Sequence, residues 1–266
     1  MTTDSTPRQT PAVELQAQGD LPPGTTERAR AKVLSVVERI REPVLSVRIR
    51  LTRMNNPAAE RPFAAQATVD VNGRPARAHV AAPSMAEAID LLHDRLAVQV
   101  ARRHRRWESG RGSTPGGDED RRPRHEPGGR PEHLVRPPEY REIVRRKSFA
   151  LARESVDEAA FEMDALDYDF HLFTEVDTGE DSLLHRIAPT GYRLAQVHPQ
   201  PDRLGATTVE LTVCPAPAPR MNCATAKRRM DDLGLPFVFF ADTLTGRGNV
   251  LYHRFDGHYG LITPAD

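Results

Sequence analysis

Alternation of apolar and polar residues marks four strands in the first hundred residues. They are predicted at 12–18, 44–54, 63–71 and 76–82, where every second side chain is apolar. One face of the second strand should carry Leu45, Val47, Ile49 and Leu51. Asn72 and Gly73 join the third and fourth strands and indicate a tight hairpin, because both residue types tolerate a positive φ.

Two helices are predicted where the apolar spacing changes to three and four residues. The first carries the stripe Ala29, Val33, Val36 and Ile40. Thr25 or Thr26 is expected to cap it. The second helix should begin at a capping box formed by Ser84 and Glu87. Residues 11–107 are therefore expected to form a β-α-β-β-β-α domain.

The composition changes after this domain. Residues 108–138 combine Gly, Pro and charges of both signs with almost no apolar side chain. Such a segment cannot bury enough apolar surface to offset the entropy lost on ordering it. We therefore expect a flexible linker at 108–138.

The C-terminal half of the chain repeats itself at a fixed offset of 67 residues. The identical pairs are Arg153/Arg220, Ala159/Ala226, Met163/Met230, Asp164/Asp231, Leu166/Leu233, Phe170/Phe237, Phe173/Phe240, Thr178/Thr245, Gly179/Gly246, Leu184/Leu251, Tyr192/Tyr259 and Leu194/Leu261. A single offset without gaps indicates internal duplication. We define copy one as 139–200 and copy two as 201–266. Each should contain a helix followed by three strands, so the whole chain is predicted to be an α+β protein.

Each copy is expected to need a partner. A module of about 50 ordered residues buries too small a fraction of its surface to be stable alone. Aromatic residues in its strands are expected to pack in the core or at the contact between modules, and as candidates for module pairing we name Phe170, Phe173, Phe237, Phe239, Phe240, Tyr252 and Tyr259. A tether places the second copy at high effective concentration, so pairing within one chain is expected, with a homodimer as the alternative.

Charge is distributed unevenly, although the chain has no net charge. Residues 1–107 hold 17 basic and 11 acidic residues, 108–147 hold 10 and 8, and 148–266 hold 10 and 18, giving +6, +2 and −8. A basic N-terminal domain favours a polyanionic partner. The candidate RNA-binding residues are Arg48, Arg50, Arg77 and His79 on one sheet face, and Arg102, Arg103, Arg105 and Arg106 at the end of the second helix. The alternative interpretation is a solvated sheet face and a helix end that complements the helix dipole.

The sequence shows no pattern typical of an enzyme, a cofactor site or a metal site. It lacks the nucleophile-elbow, zinc-protease and dinucleotide-binding motifs. Cys214 and Cys223 have no ligand-spaced partners and are interpreted as packing residues. The N-terminus does not have the pattern of a signal peptide, and the longest apolar run, 235–241, is too short to span a bilayer. We expect a cytoplasmic protein that is not an enzyme, binds no cofactor or metal and makes no membrane contact.

Three motifs resemble a known family. "IVRRKSF" (143–149), "DEAAFEMDALDYDF" (157–170) and "VLYHRFDGHYGLI" (250–262) are similar to the C-terminal domain of long-form ribosome hibernation promoting factors, of the sigma-54 modulation type. The duplication resembles the actinobacterial, dormancy-associated variety. Departures include Asp167 and Arg193, where copy two has Gly234 and Gly260.

The resemblance implies a function. In that family the N-terminal domain binds 16S rRNA of the small ribosomal subunit, in the channel used by mRNA and tRNA. Binding inhibits translation and protects idle ribosomes during stress or dormancy. The C-terminal domain pairs with another copy and can join two ribosomes. The alternative hypothesis is a stress regulator that binds a different nucleic acid, or a protein, and does not bind the ribosome.

Overall fold

The computed structural model describes residues 11–54, 60–109, 136–187 and 191–265, with the backbone alone at 102–109. They fall into an N-terminal unit and a C-terminal unit. Most of the predicted linker, from 110 to 135, lies outside the described residues. The α+β class predicted from the sequence is confirmed.

The N-terminal unit has the predicted β-α-β-β-β-α order. Its elements are β1 (Ala12–Gln18), α1 (Thr25–Val37), β2 (Val44–Arg53), β3 (Phe63–Val71), β4 (Arg74–Ala82) and α2 (Met85–Ser109). The strands form one sheet in the order β1-β2-β3-β4, in which β1 is parallel to β2 and the other neighbours are antiparallel. Asn72 and Gly73 have φ of 53° and 81°, as the predicted hairpin requires.

One face of this sheet forms a core with both helices, but Leu45 does not join it. Val47, Ile49 and Leu51 are buried, whereas Leu45 is 57% exposed. The pairing register of β2 with β3 shifts between Val44 and Ser46, and this irregularity at Leu45 ends the simple alternation of faces. The prediction for Leu45 was therefore wrong.

The helix caps were predicted in part. The Glu87 N–H donates to Ser84 Oγ at 3.2 Å, as the capping box predicts. At the first helix the prediction was wrong, because Gly24 occupies the cap position with a φ of 76°. The Thr25 hydroxyl instead donates backwards to the Pro22 carbonyl.

The C-terminal unit contains the two copies. Copy one supplies β5 (Ile143–Phe149), β6 (Arg153–Glu154), α3 (Val156–Ala165), β7 (Phe170–Glu175), β8 (Asp181–Arg186) and β9 (Tyr192–Gln196). Copy two supplies β10 (Leu211–Val213), β11 (Arg220–Met221), α4 (Cys223–Leu233), β12 (Phe237–Asp242), β13 (Gly248–His253) and β14 (Tyr259–Pro264). Short 3-10 turns precede them at Pro138–Tyr140 and Pro201–Arg203. The helices α3 and α4 begin 67 residues apart, and so do the strands β7 to β9 and their counterparts β12 to β14, so the structure repeats as the sequence does.

Both C-terminal helices are capped by side chains at their N-termini. The Glu158 N–H donates to Ser155 Oγ, and the Ser155 N–H donates back to the Glu158 carboxylate. Asn222 accepts from the Thr225 N–H at 2.9 Å.

The first strand of each copy lies in the sheet of the other copy. One sheet has the order β10-β9-β8-β7-β6 and the other β11-β12-β13-β14-β5. Strand β5 pairs in parallel with β14, and β10 pairs in parallel with β9. Neither copy therefore completes a five-stranded sheet by itself. The sequence predicted one helix and three strands in each copy and did not predict this exchange of strands.

The buried apolar residues of this unit form three clusters. One lies under α3 and includes Phe173, and one lies under α4 and includes Phe240 and Tyr259. The third, which we call the shared cluster, takes buried residues from both copies: Leu172, Leu183, Val197, Ala218, Phe239, Ala241 and Val250. Each sheet thus has one face toward its helix and the other toward the second sheet.

Candidate nucleic-acid interface and module contact

Four of the predicted RNA-binding residues form two rows across the N-terminal sheet. Arg48 is opposite Thr68, which is opposite Arg77, and the neighbouring row joins Arg50 to His79 through Gln66. All four lie on the face opposite the core residues of β2 and β4. Since neighbouring strands are about 4.8 Å apart, each row spans about 10 Å.

The two arginines that β2 places on this face are weakly compensated. Arg48 and Arg50 are exposed. The Arg48 Nε lies 3.6 Å from a Glu14 carboxylate oxygen, and both side chains are more than half exposed, so water screens this pair. Arg77 Nη2 donates to Gln66 Oε1 at 3.1 Å, which holds its guanidinium over the sheet. Guanidinium groups held at fixed spacing suit the phosphates of folded RNA.

Two basic residues of α1 bind the other helix of the domain. Arg28 and Lys32 on α1 both bind Asp90 of α2, at 2.8 Å and 3.0 Å. The hydrogen bond from Lys32, with the charge of Arg28, lowers the pKa of the Asp90 carboxyl. These groups join the two helices, on the side of the sheet opposite the rows of Arg48, Arg50, Arg77 and His79.

The remaining predicted RNA-binding residues belong to the last turns of α2. Arg102, Arg103, Arg105 and Arg106 fall within Met85–Ser109, and their side chains are outside the described part of the structure. The helix therefore continues through the whole cluster, as the sequence predicts.

Four of the seven predicted pairing residues meet between the two C-terminal sheets. The rings of Phe170 and Phe237 are 5.1 Å apart, and Phe170 is 5.7 Å from Tyr252. Phe239 is buried in the same shared cluster. These contacts join copy one to copy two.

The other three residues lie on the opposite faces of their sheets. Phe173 packs under α3, and Phe240 and Tyr259 pack under α4. Neighbouring strand residues face opposite ways, so Phe239 and Phe240 could not both point toward the second sheet. For Phe173, Phe240 and Tyr259 the predicted pairing contact is therefore corrected to a core position.

The contacts between the copies have an approximate twofold symmetry. Phe170 and Phe237 are equivalent at the offset of 67, so each contacts its own counterpart. Tyr252 is equivalent to His185, and the Phe170–Tyr252 contact is matched by Phe237–His185 at 5.3 Å. A surface that meets its own equivalent is the arrangement of a symmetric dimer, here formed by one chain.

A tyrosine at the start of β14 binds α4, and its equivalent at the start of β9 binds α3. The Tyr259 hydroxyl donates to Asp231 at 2.5 Å, and the equivalent Tyr192 donates to Asp164 at 3.0 Å. Arg141 also binds Asp231, at 2.9 Å. Burial, followed by the hydrogen bond to Asp231, raises the pKa of Tyr259 to about 12.

One interaction between the copies was not predicted from the sequence. The Asp181 carboxylate is 8% exposed and binds Arg247 Nε at 2.8 Å and Nη2 at 3.1 Å. It also accepts the Gly248 N–H at 2.8 Å. The only sequence signal was the acidic residue at 181, where the other copy has glycine.

No cluster of metal-ligating side chains occurs among the described residues. Within that same part of the chain, no helix is both long and apolar enough to cross a bilayer.

Comparison with known proteins assigns both units. Residues 14–108 match the family described as Sigma 54 modulation protein / S30EA ribosomal protein, and residues 138–194 and 215–261 both match its C-terminal part. The chain belongs to this family. The resemblance seen in the motifs is thereby confirmed, and the two C-terminal matches agree with the duplication.

Two relatives in the family cover much of the chain. It is 37% identical over 225 residues to the dormancy associated translation inhibitor of Mycobacterium tuberculosis (strain ATCC 25618 / H37Rv), which covers 82% of this chain and 76% of that protein. It is 28% identical over 153 residues to a ribosome hibernation promotion factor of Picosynechococcus sp., which covers 56% of this chain and 78% of that protein. A solved ribosomal subunit interface protein from Coxiella burnetii, 19% identical, covers 35% of this chain and 98% of its own at a TM-score of 0.29, too low to bear on function.

Proposed function

We propose that this protein is a ribosome hibernation factor of the cytoplasm. It binds 16S rRNA of the small subunit in the mRNA and tRNA channel, inhibits translation and protects idle ribosomes during dormancy or stress. It acts by binding and carries out no catalysis. The observation that carries this proposal is the 37% identity, across both units, with a protein named a dormancy associated translation inhibitor.

The sheet face of the N-terminal unit is the proposed contact with rRNA. Arg48, Arg50, Arg77 and His79 place four basic side chains in two rows on one surface. The two rows carry no Phe, Tyr or Trp, so base stacking on those rings does not contribute there. Recognition of phosphates and of helix shape fits such a surface better. The arginines at the end of α2 would add further phosphate contacts.

The two C-terminal copies are proposed to pair with each other within one chain. The Phe170–Phe237 contact and the exchange of β5 and β10 support this arrangement, because both place the copies against each other. The surface by which one copy would meet a second molecule is then occupied. The protein would therefore silence single ribosomes and would not join them in pairs.

Sedimentation with purified ribosomal subunits tests the rRNA contact. Arg48→Glu/Arg50→Glu should release the protein from small subunits and relieve inhibition of cell-free translation. The matched control is Arg228→Glu/Arg229→Glu, which reverses two exposed arginines of α4 and should leave both readouts unchanged. Unchanged binding of the sheet variant would overturn the proposed face. Failure of the wild-type protein to sediment with subunits would overturn the ribosomal function itself.

A further inference from the structure

We infer that the Asp181–Arg247 pair determines which copies pair: it favours copy one against copy two and disfavours copy one against another copy one. The inference rests on the pairing proposed above. It concerns the choice of partner surface, which the aromatic contacts alone do not determine.

The pair lies where the two copies meet. Asp181 is the first residue of β8, and its equivalent at the offset of 67 is Gly248, the first residue of β13. These two equivalent residues contact each other, since Asp181 accepts the Gly248 N–H. They therefore lie near the approximate twofold axis, as Phe170 and Phe237 do.

The charges across this axis are not symmetric. Arg247 holds both oxygens of Asp181 in a two-pronged ion pair. The residue of copy one equivalent to Arg247 is Glu180. The unlike pairing thus contains one buried carboxylate with one guanidinium and one backbone donor, which satisfies it.

Pairing of copy one with a second copy one would place the wrong groups together. Symmetry would set Asp181 against Asp181, and Glu180 would stand where Arg247 now binds. Two nearly buried carboxylates without a cation are strongly unfavourable. Space is lacking too, because a Cβ added at Gly248 would lie 2.9 Å from the Asp181 Cβ.

Pairing of copy two with a second copy two would lose the ion pair without creating a buried charge. Gly248 would face Gly248, and Arg247, which is 38% exposed, would keep contact with water. Specificity therefore comes mainly from the repulsion that would arise between two modules of the copy-one type. Such an arrangement selects one partner by penalising another. The acidic drift of copy one makes it a poor partner for itself and a good partner for copy two.

A double-mutant cycle in the full chain tests this inference. All five tyrosines lie between 140 and 259, and the only tryptophan is Trp107, so tyrosine emission during urea unfolding reports on the C-terminal unit. Arg247→Glu, which copies Glu180, should raise the unfolding equilibrium constant about 100-fold or more by leaving Asp181 against a carboxylate. Asp181→Gly, which introduces the residue type found at the equivalent position 248, should raise the unfolding equilibrium constant less than Arg247→Glu does. The double variant should have an unfolding equilibrium constant at least about tenfold lower than that of Arg247→Glu alone.

The control is Arg229→Glu, an exposed reversal on α4 that should leave the unfolding constant unchanged. If the effects of Asp181→Gly and Arg247→Glu are additive, the pair does not select the partner and the inference is overturned. Light scattering on the wild-type chain separates this result from the proposed function. A dimer in which Asp181 and Arg247 are coupled would overturn pairing within one chain and support the inference. A monomer in which they are not coupled would support pairing within one chain and overturn the inference.

Discussion

Phe170 and Phe237 are 67 residues apart and hold the same place in their repeats, yet their rings lie 5.1 Å from each other. Equivalent residues of two repeats meet in this way only near a twofold axis. In this structure one chain therefore holds both halves of the interface. The energetics of that interface can be measured by changing one half at a time.

We expect Phe170→Ala to destabilise the C-terminal unit by about 2–3 kcal/mol, somewhat less than a fully buried phenylalanine, because the residue is half-buried. The loss would come from the contacts with Phe237 and Tyr252. Urea unfolding followed by tyrosine emission measures it. Leu244→Ala is the control: Leu244 is 93% exposed, so a change of no more than about 0.5 kcal/mol is expected. Equal effects of the two substitutions would contradict the packing described here.

Tyr259 should make the stability of this unit fall at high pH. Its pKa is raised to about 12, first by burial and then by the bond to Asp231, so the folded chain holds the phenol proton more tightly than the unfolded chain. The contribution is complete below pH 10, the ordinary tyrosine value, and is lost as the pH rises from about 10 toward 12.

The variant Tyr259→Phe isolates this contribution. Its free energy of unfolding should be lower by about 1–3 kcal/mol at neutral pH, because Asp231 loses its hydroxyl donor. The difference from wild type should shrink above pH 10. If the two proteins keep a constant difference from pH 9 to 12, the hydroxyl does not have this role.

How much of this could be predicted depends on how local the cause is. Alternation and capping are local, so β1 to β4 and the caps at Ser84, Ser155 and Asn222 were predictable. The shift of register that exposes Leu45 depends on the neighbouring strand and leaves no mark in the pattern of β2 itself.

The strand exchange and the pairing surface were harder still. Strand β10 has three residues and gains its stability from β9, so its own sequence is too short to predict a strand. The seven aromatic residues were predictable as buried, and alternation alone would have separated Phe239 from Phe240. Which face meets a helix and which meets the other sheet depends on the tertiary arrangement, and so does the pairing of Asp181 with Arg247.

Gly260 lies beneath the ring of Tyr252, and this contact accounts for one difference between the copies. Tyr252 and Gly260 are cross-strand partners, and their equivalents in copy one are His185 and Arg193, also partners. An aromatic ring covers the bare glycine in one copy, and two polar side chains pair in the other.

Gly260→Ala should therefore cost about 1–3 kcal/mol, because an added Cβ would lie 2.6 Å from Tyr252 Cε1. Arg193→Ala, which places alanine at the equivalent exposed position, should change the free energy of unfolding by no more than about 0.5 kcal/mol. In a Tyr252→Ala background the cost of Gly260→Ala should largely vanish. If it persists, the ring is not its cause.

His185 should make stability fall at mildly acidic pH. Burial lowers the pKa of its imidazole, with the charge of Arg193 acting in the same direction against a hydrogen bond to the Arg186 carbonyl. The unfolded chain therefore takes up a proton more readily, and stability decreases as the pH falls through about 6.5, the unfolded value. The ring also contacts Phe237, so this loss acts at the contact between the copies. His185→Gln should flatten the pH dependence of the unfolding free energy between pH 5 and 7. An unchanged slope would assign that dependence to other groups.

Ribosome binding should depend strongly on salt, and the end of α2 should contribute to that dependence. Each phosphate neutralised by a basic side chain releases counterions, so the logarithm of the binding constant falls with the logarithm of salt by about 0.7–0.9 per phosphate contact. Replacing Arg102, Arg103, Arg105 and Arg106 with glutamine removes these contacts and keeps a good helix-forming residue at each position. We expect weaker binding to small subunits and a shallower salt slope, with circular dichroism unchanged. Arg228→Gln/Arg229→Gln, which removes exposed arginines from α4, should keep the wild-type slope. If the α2 variant also keeps it, the helix end does not touch phosphate, and the two rows on the sheet would have to provide the ionic contacts alone.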